Sequence, residues 1–375
     1  MTSAAIRQGE VEPSILFVTR KWAPATGGME TYSLRLTEAL AKEEAVEVVA
    51  LPGRSNGMPP GLLTLLAFAL TVVSRATRRR SAPRVLHLGD MALWPLAALK
   101  LAWRDTQVVL SAHGTDVAYH RRRGLRGMLY GLYLRLGARL LRRARVIANS
   151  RATADVAAET GWRDAAIVPL GTEPAPAEPA EGSHDGSILF VGRLVERKGC
   201  GWFIREVLPQ LPAGTRLVIA GTAWDASERA VLSTPGVEFL GAVHGPALHA
   251  LYRRAKCVVV PNIDVPSGEY EGFGLVAPEA AAAGGLVLAA RSGGLTDAVI
   301  DGTTGLLVES GNAQAWRDAI ETISAWDGEA RRGFLAGSQA AVAEHFGWSR
   351  VARETLKVYA LQESRRATGL FASAH

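Results

Sequence analysis

Glu271 and Glu279 are separated by seven residues, and Gly272-Phe273-Gly274 follows the first of them. An apolar run at 257–261 precedes this segment, and an alanine-rich stretch ending in Gly284-Gly285 follows it. That order reads as a strand, a loop and a helix start. Pro278 fits the first turn of a helix, where its missing N–H has no partner to lose, so the helix is expected to begin near Gly274 or Leu275. Glycines let backbone amides approach a ligand, and a helix start offers unpaired N–H groups to a phosphate. The carboxylates repel a phosphate but accept hydrogen bonds from sugar hydroxyls. Anion-binding amides beside two hydroxyl acceptors suit a nucleotide sugar. The plainer reading is an acidic loop before a helix that favours acid in its first turn.

Three further segments carry chemistry. In the segment 190–199 (Phe-Val-Gly-Arg-Leu-Val-Glu-Arg-Lys-Gly), a strand ends in glycine and two cations follow five residues apart, Arg193 and Lys198. Arg193 can grip phosphate oxygens in a fork, and Lys198 adds a point charge. Such a pair offsets the charge of a departing diphosphate without a divalent metal, and no Asp-x-Asp pair follows a strand. Gly27-Gly28 joins the first strand to the first helix and permits close approach of an anion; it lacks the Gly-x-Gly-x-x-Gly spacing of a dinucleotide site. His113-Gly114-Thr115-Asp116 ends another strand, which favours exposure of His113, with Asp116 fixing the imidazole or capping a helix. Each segment alone also reads as an ordinary turn or solvated loop.

Short apolar runs alternate with helical patterns around these segments. Strands are expected at 15–19, 46–51, 84–88, 107–112, 146–149 and 166–169, then at 187–191, 216–220, 237–240, 257–261, 286–290 and 306–308. Helices are expected at 30–41, 62–79, 93–103, 125–143 and 152–160, and again between the later strands to about Ser364. Continuous apolar strands alternating with helices imply parallel sheets covered on both faces. Residues 173–186, rich in Pro, Ala, Gly and charge, read as a linker. The fold class is therefore α/β, with two doubly wound domains facing across a cleft: residues 1–172 and 187–345. Ligands of such sheets bind outside the strand C-termini, where Gly28, His113, Arg193 and Glu271 fall.

The chain has 375 residues and a formal net charge of +6. Residues 1–173 carry 24 Lys and Arg against 14 Asp and Glu, and the remainder carries 18 against 22. Arginines cluster at 75–80, 121–126 and 139–145, which attracts phosphate-rich surfaces, or else marks solvated helix faces. The run 61–73 is too short to span a bilayer. It reads as a buried helix, or as a helix lying in a membrane interface beside the first arginine cluster. Cys200 and Cys257 make no disulfide framework and no metal cluster, which agrees with a reducing cytoplasm. Residues 1–13 lack the apolar core of a secretory signal.

In order and spacing, these segments resemble the family-4 retaining glycosyltransferases, which have the two-domain GT-B architecture. The resemblance runs from Gly-Gly-Met-Glu at 27–30 through His-Gly-Thr-Asp at 113–116, Asn149-Ser150 and Val-Pro-Leu-Gly-Thr at 168–172. It continues through Val-Gly-Arg-Leu-Val-Glu-Arg-Lys-Gly at 191–199 and Glu-Gly-Phe-Gly at 271–274 to Gly293-Gly294, Gly-Leu-Leu-Val at 305–308 and Trp348. It implies that Arg193 and Lys198 bind the donor diphosphate and that Glu271 holds the hydroxyls of the transferred sugar. Glu279 would bind the ribose. Phe273, Gly274 and Leu275 would offer amides, Gly28 would meet the phosphates, and His113 would lie beside the reacting sugar. No metal and no cofactor is expected beyond a UDP- or GDP-sugar co-substrate. The remainder, 346–375, is expected to form a helix returning to the first domain. Gly285-Leu286 and Asp297 depart from the family pattern without touching these roles.

The expected reaction is hexosyl transfer to a glycan or lipid-linked acceptor in cell-surface polysaccharide, lipopolysaccharide or glycolipid assembly. It would proceed in the cytoplasm, with peripheral attachment to the anionic inner face of the plasma membrane. A nucleotide-sugar epimerase on the same architecture would need an acid–base pair and no acceptor. A nucleic-acid-binding protein would use the arginine clusters, but no reader motif and few interleaved aromatics accompany them.

Overall fold

The computed structural model describes residues 5–6, 14–25, 27–54, 60–173 and 182–372, with side chains from Ser14 through Ala360. They form two α/β units. One runs to Leu170 and takes up the chain again from Trp348; the other is Gly171–Gly347. Of the expected linker, residues 174–181 lie outside the described residues. Asp185, at its end, belongs to the second unit and donates its amide to the Arg254 carbonyl at 2.8 Å.

In the first unit the strands are β1 (Ala5–Ile6), β2 (Ile15–Thr19), β3 (Val46–Ala50), β4 (Val85–Leu88), β5 (Gln107–Ala112), β6 (Arg145–Ala148) and β7 (Ala166–Ile167). Their order is β1-β3-β2-β4-β5-β6-β7. The two-residue β1 is antiparallel to β3, and β2 through β7 pair in parallel. Every residue of β2, β4 and β5 is buried, as continuous apolar runs require when both faces are covered. In the second unit, β8 (Ile188–Leu194), β9 (Leu217–Ala223), β10 (Val237–Gly241), β11 (Cys257–Val260), β12 (Val287–Ala290) and β13 (Leu306–Val308) form an all-parallel sheet. Its order is β10-β9-β8-β11-β12-β13. Strand order therefore reverses between β2 and β4 in one unit and between β8 and β11 in the other. Such switch points are where the loops after the strands part to admit ligands.

The winding explains the last helix. Right-handed crossovers from β3 onward all step the same way, so their helices share one face of the first sheet. Helix Gly28–Leu40 alone connects in the opposite sense. The returning helix Trp348–Ala372 packs against it and against β5 and β6, covering the strands it leaves bare. The attachment is polar as well as apolar. Tyr359 Oη lies 2.6 Å from His87 Nδ1, His87 Nε2 lies 2.7 Å from Ser111 Oγ, and Ser111 Oγ lies 2.7 Å from Tyr32 Oη. Burial, helped by the neighbouring His113, pulls the His87 imidazole down to about 3, so it is neutral and can donate at one nitrogen and accept at the other. Tyr359→Phe removes one end of this buried chain. It is expected to lower stability by about 1–3 kcal/mol, because His87 then loses a partner it cannot replace. Urea unfolding measures this; a midpoint matching the parent would mean that the relay carries no stability.

One element differs in kind from its expectation. The helix expected at 93–103 is a run of tight 3₁₀ turns at Met91–Leu101, capped by Asp90, which accepts from the Ala92 amide at 2.9 Å. Pro95 lies inside it and cannot supply an α-helical N–H.

Candidate active site

The second unit brings together two loops whose contacting residues are up to 74 apart in sequence. Strand β8 ends at Leu194, and a single turn, Glu196–Lys198, follows. The next residue, Gly199, has φ 70°, and a Cβ there would stand 1.9 Å from the Pro261 carbonyl oxygen. Only glycine lets the loop after β8 lie this close to the loop after β11. The Ile263 amide completes the junction by donating to the Arg197 carbonyl at 3.1 Å.

That junction sets cations against Glu271. Lys198 Nζ is 2.5 Å from Glu271 Oε2, Arg197 Nη1 donates to the same oxygen at 2.8 Å, and Asn262 Nδ2 donates to it at 3.2 Å. Burial pushes the Glu271 carboxyl up, but the charges and hydrogen bonds of Lys198 and Arg197 prevail and hold it at about 2. Burial also draws the Lys198 ammonium down, against the pull of Glu271. The two groups form a salt bridge by geometry.

Glu271 itself is fixed from behind. Its carbonyl accepts from the Gly294 amide at 2.8 Å, and a Cβ on Gly294 would stand 2.2 Å from the Gly272 carbonyl oxygen. Gly274, with φ 93°, turns the chain into helix Val276–Ala282, capped at Leu275, with Pro278 in its first turn. The start expected near Gly274 or Leu275 agrees. Phe273 is buried, and its amide with those of Gly274 and Leu275 leads into the helix. Glu279 sits in the first turn, where burial pushes its carboxyl up to about 7 against the opposing charge of Lys198.

Arg193 is placed differently from its expectation. Strand β8 continues past Gly192, so Arg193 is a ladder residue paired with Thr222 and not part of a following loop. Its guanidinium lies 5.1 Å from the ring centroid of Trp224. The cation that joins Lys198 at Glu271 is Arg197, which the motif contained and the five-residue spacing of Arg193 and Lys198 passed over. Asn262 lay in a stretch with no readable pattern.

In the first unit, Gly27 precedes helix Gly28–Leu40, and Glu30 in its first turn lies 3.4 Å from Lys21 Nζ. His113 follows β5 but is buried, not exposed. Its ring packs edge-on against Tyr32 at 4.5 Å, and Nε2 donates to the Gly89 carbonyl at 3.0 Å. A carbonyl can only accept, so Nε2 carries a proton. Among the described residues Nδ1 has no partner. Asp116 does not fix the imidazole: it accepts the His113 amide at 2.8 Å and the Met91 amide at 3.1 Å, tying two loops together. Asn149 adds a bond to the His113 carbonyl at 3.3 Å. Among the described residues no three His, Cys, Asp or Glu side chains group as metal ligands.

Comparison with known proteins gives two matches that together take in most of the chain. Residues 26–175 match the model "Glycosyltransferase Family 4", and residues 185–325 match "Glycosyl transferases group 1". The chain belongs to the family-4 glycosyltransferases. Among curated relatives of this glycosyltransferase is a D-inositol 3-phosphate glycosyltransferase of Xylanimonas cellulosilytica, 37% identical over 188 residues, covering 48% of this chain and 43% of the relative. The enzyme of that name from Corynebacterium aurimucosum is 38% identical over 192 residues, 47% and 43% of the two chains. The chain thus spans less than half the length of these relatives. Among solved structures, Anabaena HepE in complex with UDP and glucose superposes with TM-score 0.68 at 20% identity, over 93% of this chain and 100% of that one. Sucrose-phosphate synthase of Thermosynechococcus elongatus superposes with TM-score 0.68 at 23% identity, over 96% and 99%. At these identities the structures support the fold, two Rossmann-like domains, and nothing finer.

Proposed function

We propose that this glycosyltransferase moves a hexose, with retention of anomeric configuration, from a UDP- or GDP-sugar to a glycan or lipid-linked acceptor in cell-surface polysaccharide or glycolipid assembly. Its place would be the cytoplasmic, inner face of the plasma membrane. The observation that carries the reading is the Glu271 carboxylate, held ionised by Lys198 and Arg197 beside a glycine loop that leads into a helix. In this reading Glu271 accepts from the sugar hydroxyls. Lys198, with Arg193 and the newly recognised Arg197, meets the diphosphate. The amides of Phe273, Gly274 and Leu275 serve the sugar and phosphates, and Glu279 takes the ribose. Gly28 and His113 are assigned to phosphates and reacting sugar by family resemblance.

The bond between the anomeric carbon and the diphosphate oxygen breaks, and its electron pair leaves with the diphosphate. The acceptor hydroxyl bonds to the anomeric carbon on the same face. Its proton passes to the departing phosphate. Fixed cations at that phosphate stabilise the charge as it develops and need not reorganise.

A second reading of the acceptor comes from the curated relatives, whose name specifies D-inositol 3-phosphate. Thermal shifts with a panel of UDP- and GDP-sugars identify the donor, because a ligand of the native state raises the melting temperature. Transfer to inositol phosphate and to polyprenyl-linked glycans, each with EDTA present, then separates the acceptors. Activity is expected to survive EDTA, since side-chain cations take the metal's place. Loss restored by manganese would sink that charge assignment, and an epimerised donor without transfer would sink the transferase reading.

Glu279 makes donor binding depend on pH. Below about 7 its carboxyl is protonated; above, it is a carboxylate and the stronger acceptor for a ribose hydroxyl. Donor affinity is expected to rise about tenfold from pH 6 to pH 8, following the ionised fraction. Calorimetry at both values checks this, and Glu279→Gln should flatten the profile.

A further inference from the structure

Two helices of the first unit carry most of their leucines outward. Helix Leu125–Leu140 buries Gly127, Gly131, Leu134 and Gly137. A Cβ on Gly137 would stand 2.9 Å from ring atoms of both Trp94 and Trp162, so glycine is what lets the helix lie this close. The opposite stripe is Leu125, Leu129, Leu132 and Leu136, each at least half exposed. Their spacing of four, three and four keeps them on one face. Helix Leu62–Thr77 does the same. It buries Phe68, Val72 and Ala76 and presents Leu62, Leu66, Leu70 and Val73 to solvent, with Leu63 82% exposed.

Both helices pack against the run Met91–Leu101, whose Leu101 is 86% exposed. Sixteen large apolar side chains are exposed among the described residues, and twelve of them belong to these three elements. Single exposed leucines are ordinary, but a concentration of this kind marks an interaction face.

The charge around it names the occupant. Residues 117–154 contain ten arginines and no Asp or Glu, and residues 48–89 contain six arginines and no acid. Arg78, Arg123, Arg126, Arg139 and Arg142 are exposed, and Arg139, seven residues after Leu132, shares the leucine stripe. A second copy docked by two-fold symmetry would set these arginine-rich helices against their own like, although Glu47 and Glu159 from neighbouring elements pair with Arg79 and Arg121. An anionic bilayer offers acyl chains to the leucines and phosphates to the arginines. No helix among the described residues is long and apolar enough to cross a membrane.

We propose that helices Leu62–Thr77 and Leu125–Leu140 lie in the headgroup–acyl boundary of an anionic membrane, leucines inserted and arginines on lipid phosphates. The proposal gives the membrane part of the functional reading its surface and rests on that reading only for its purpose. Vesicle binding needs neither donor nor acceptor, so the two can fail separately.

The test co-sediments the full chain with phosphatidylcholine vesicles, with and without phosphatidylglycerol. Binding is expected only to the anionic vesicles and should weaken about tenfold as salt is raised, because the arginine contribution is screened. The triple variant L129S/L132S/L136S should bind on the order of a hundredfold less tightly, with the parent's melting temperature and donor affinity. Equal partitioning to neutral and anionic vesicles overturns the proposal, as does a triple variant that binds like the parent. A dimer in sedimentation that the same substitutions dissolve would assign the face to a second copy. Absent vesicle binding with normal donor binding removes the docking surface alone; the reverse pattern removes the donor reading alone.

Discussion

Replacing Glu271 with alanine is expected to reduce sugar transfer on the order of a thousandfold, the scale on which one preorganised polar group at a reacting centre acts. Glu271 is the single acceptor on which Lys198, Arg197 and Asn262 converge. On the proposed reading its removal deletes a hydroxyl acceptor, and it leaves the buried Arg197 and largely buried Lys198 without their shared carboxylate. The second effect alone lowers stability, by about 3–5 kcal/mol if the cations do not find water or chloride. Activity must therefore be normalised to folded protein. Lys198→Ala separates the causes, because Glu271 keeps Arg197 and Asn262. If the cluster is chemical machinery, Lys198→Ala loses most activity while its melting temperature falls little. If it merely holds the loops together, activity and stability fall in step. A Lys198→Ala enzyme working within a few-fold of the parent would remove this cluster from the reaction.

The second large effect is at a residue with no functional group. Gly294→Ala places a methyl 2.2 Å from the Gly272 carbonyl oxygen and 2.6 Å from the Phe273 Cα. Both neighbours are backbone, so no side chain can swing away. The Glu271–Gly274 loop must move, and the Gly294 amide bond to Glu271 strains with it. Overpacking of this kind costs about 1–3 kcal/mol. The displacement should cost about a hundredfold in kcat, since a shift near 1 Å in a positioned group has that effect. Helix Leu295–Ala298 and strand β12 need not move, so circular dichroism should match the parent. Full activity in Gly294→Ala would show that the position of Glu271 is not critical.

Most of the twelve parallel strands were legible because a buried strand must be largely apolar, which leaves a run that alternation with helices cannot obscure; β7 and β10 are more exposed. The same property hid β1, whose two residues have no run to show and are recruited only by the edge of β3. The motif residues announced their chemistry by type. Their partners were not announced. Whether Arg193 or Arg197 meets Glu271 depends on where β8 stops, and the ladder with β9 carries it two residues beyond the glycine that looked like its end. The burial of His113 followed from Tyr32 and Gly89, which are 81 and 24 residues away in sequence.

The helices beneath the proposed membrane face show the division most plainly. Helices at 62–79 and 125–143 were expected from the sequence alone, since a helical pattern is a property of one segment. Which face turned inward was a property of what it packed against. Trp94 and Trp162 leave room beside Gly137 only for a hydrogen, so the glycine stripe went to the core and the leucines to the surface. Sequence by itself settled most element types, their order and the family-bearing residues, because these are written in local composition. Tertiary structure alone decided which cations share Glu271, how the histidine is held and which apolar faces remain uncovered, because each depends on the approach of segments distant in the chain.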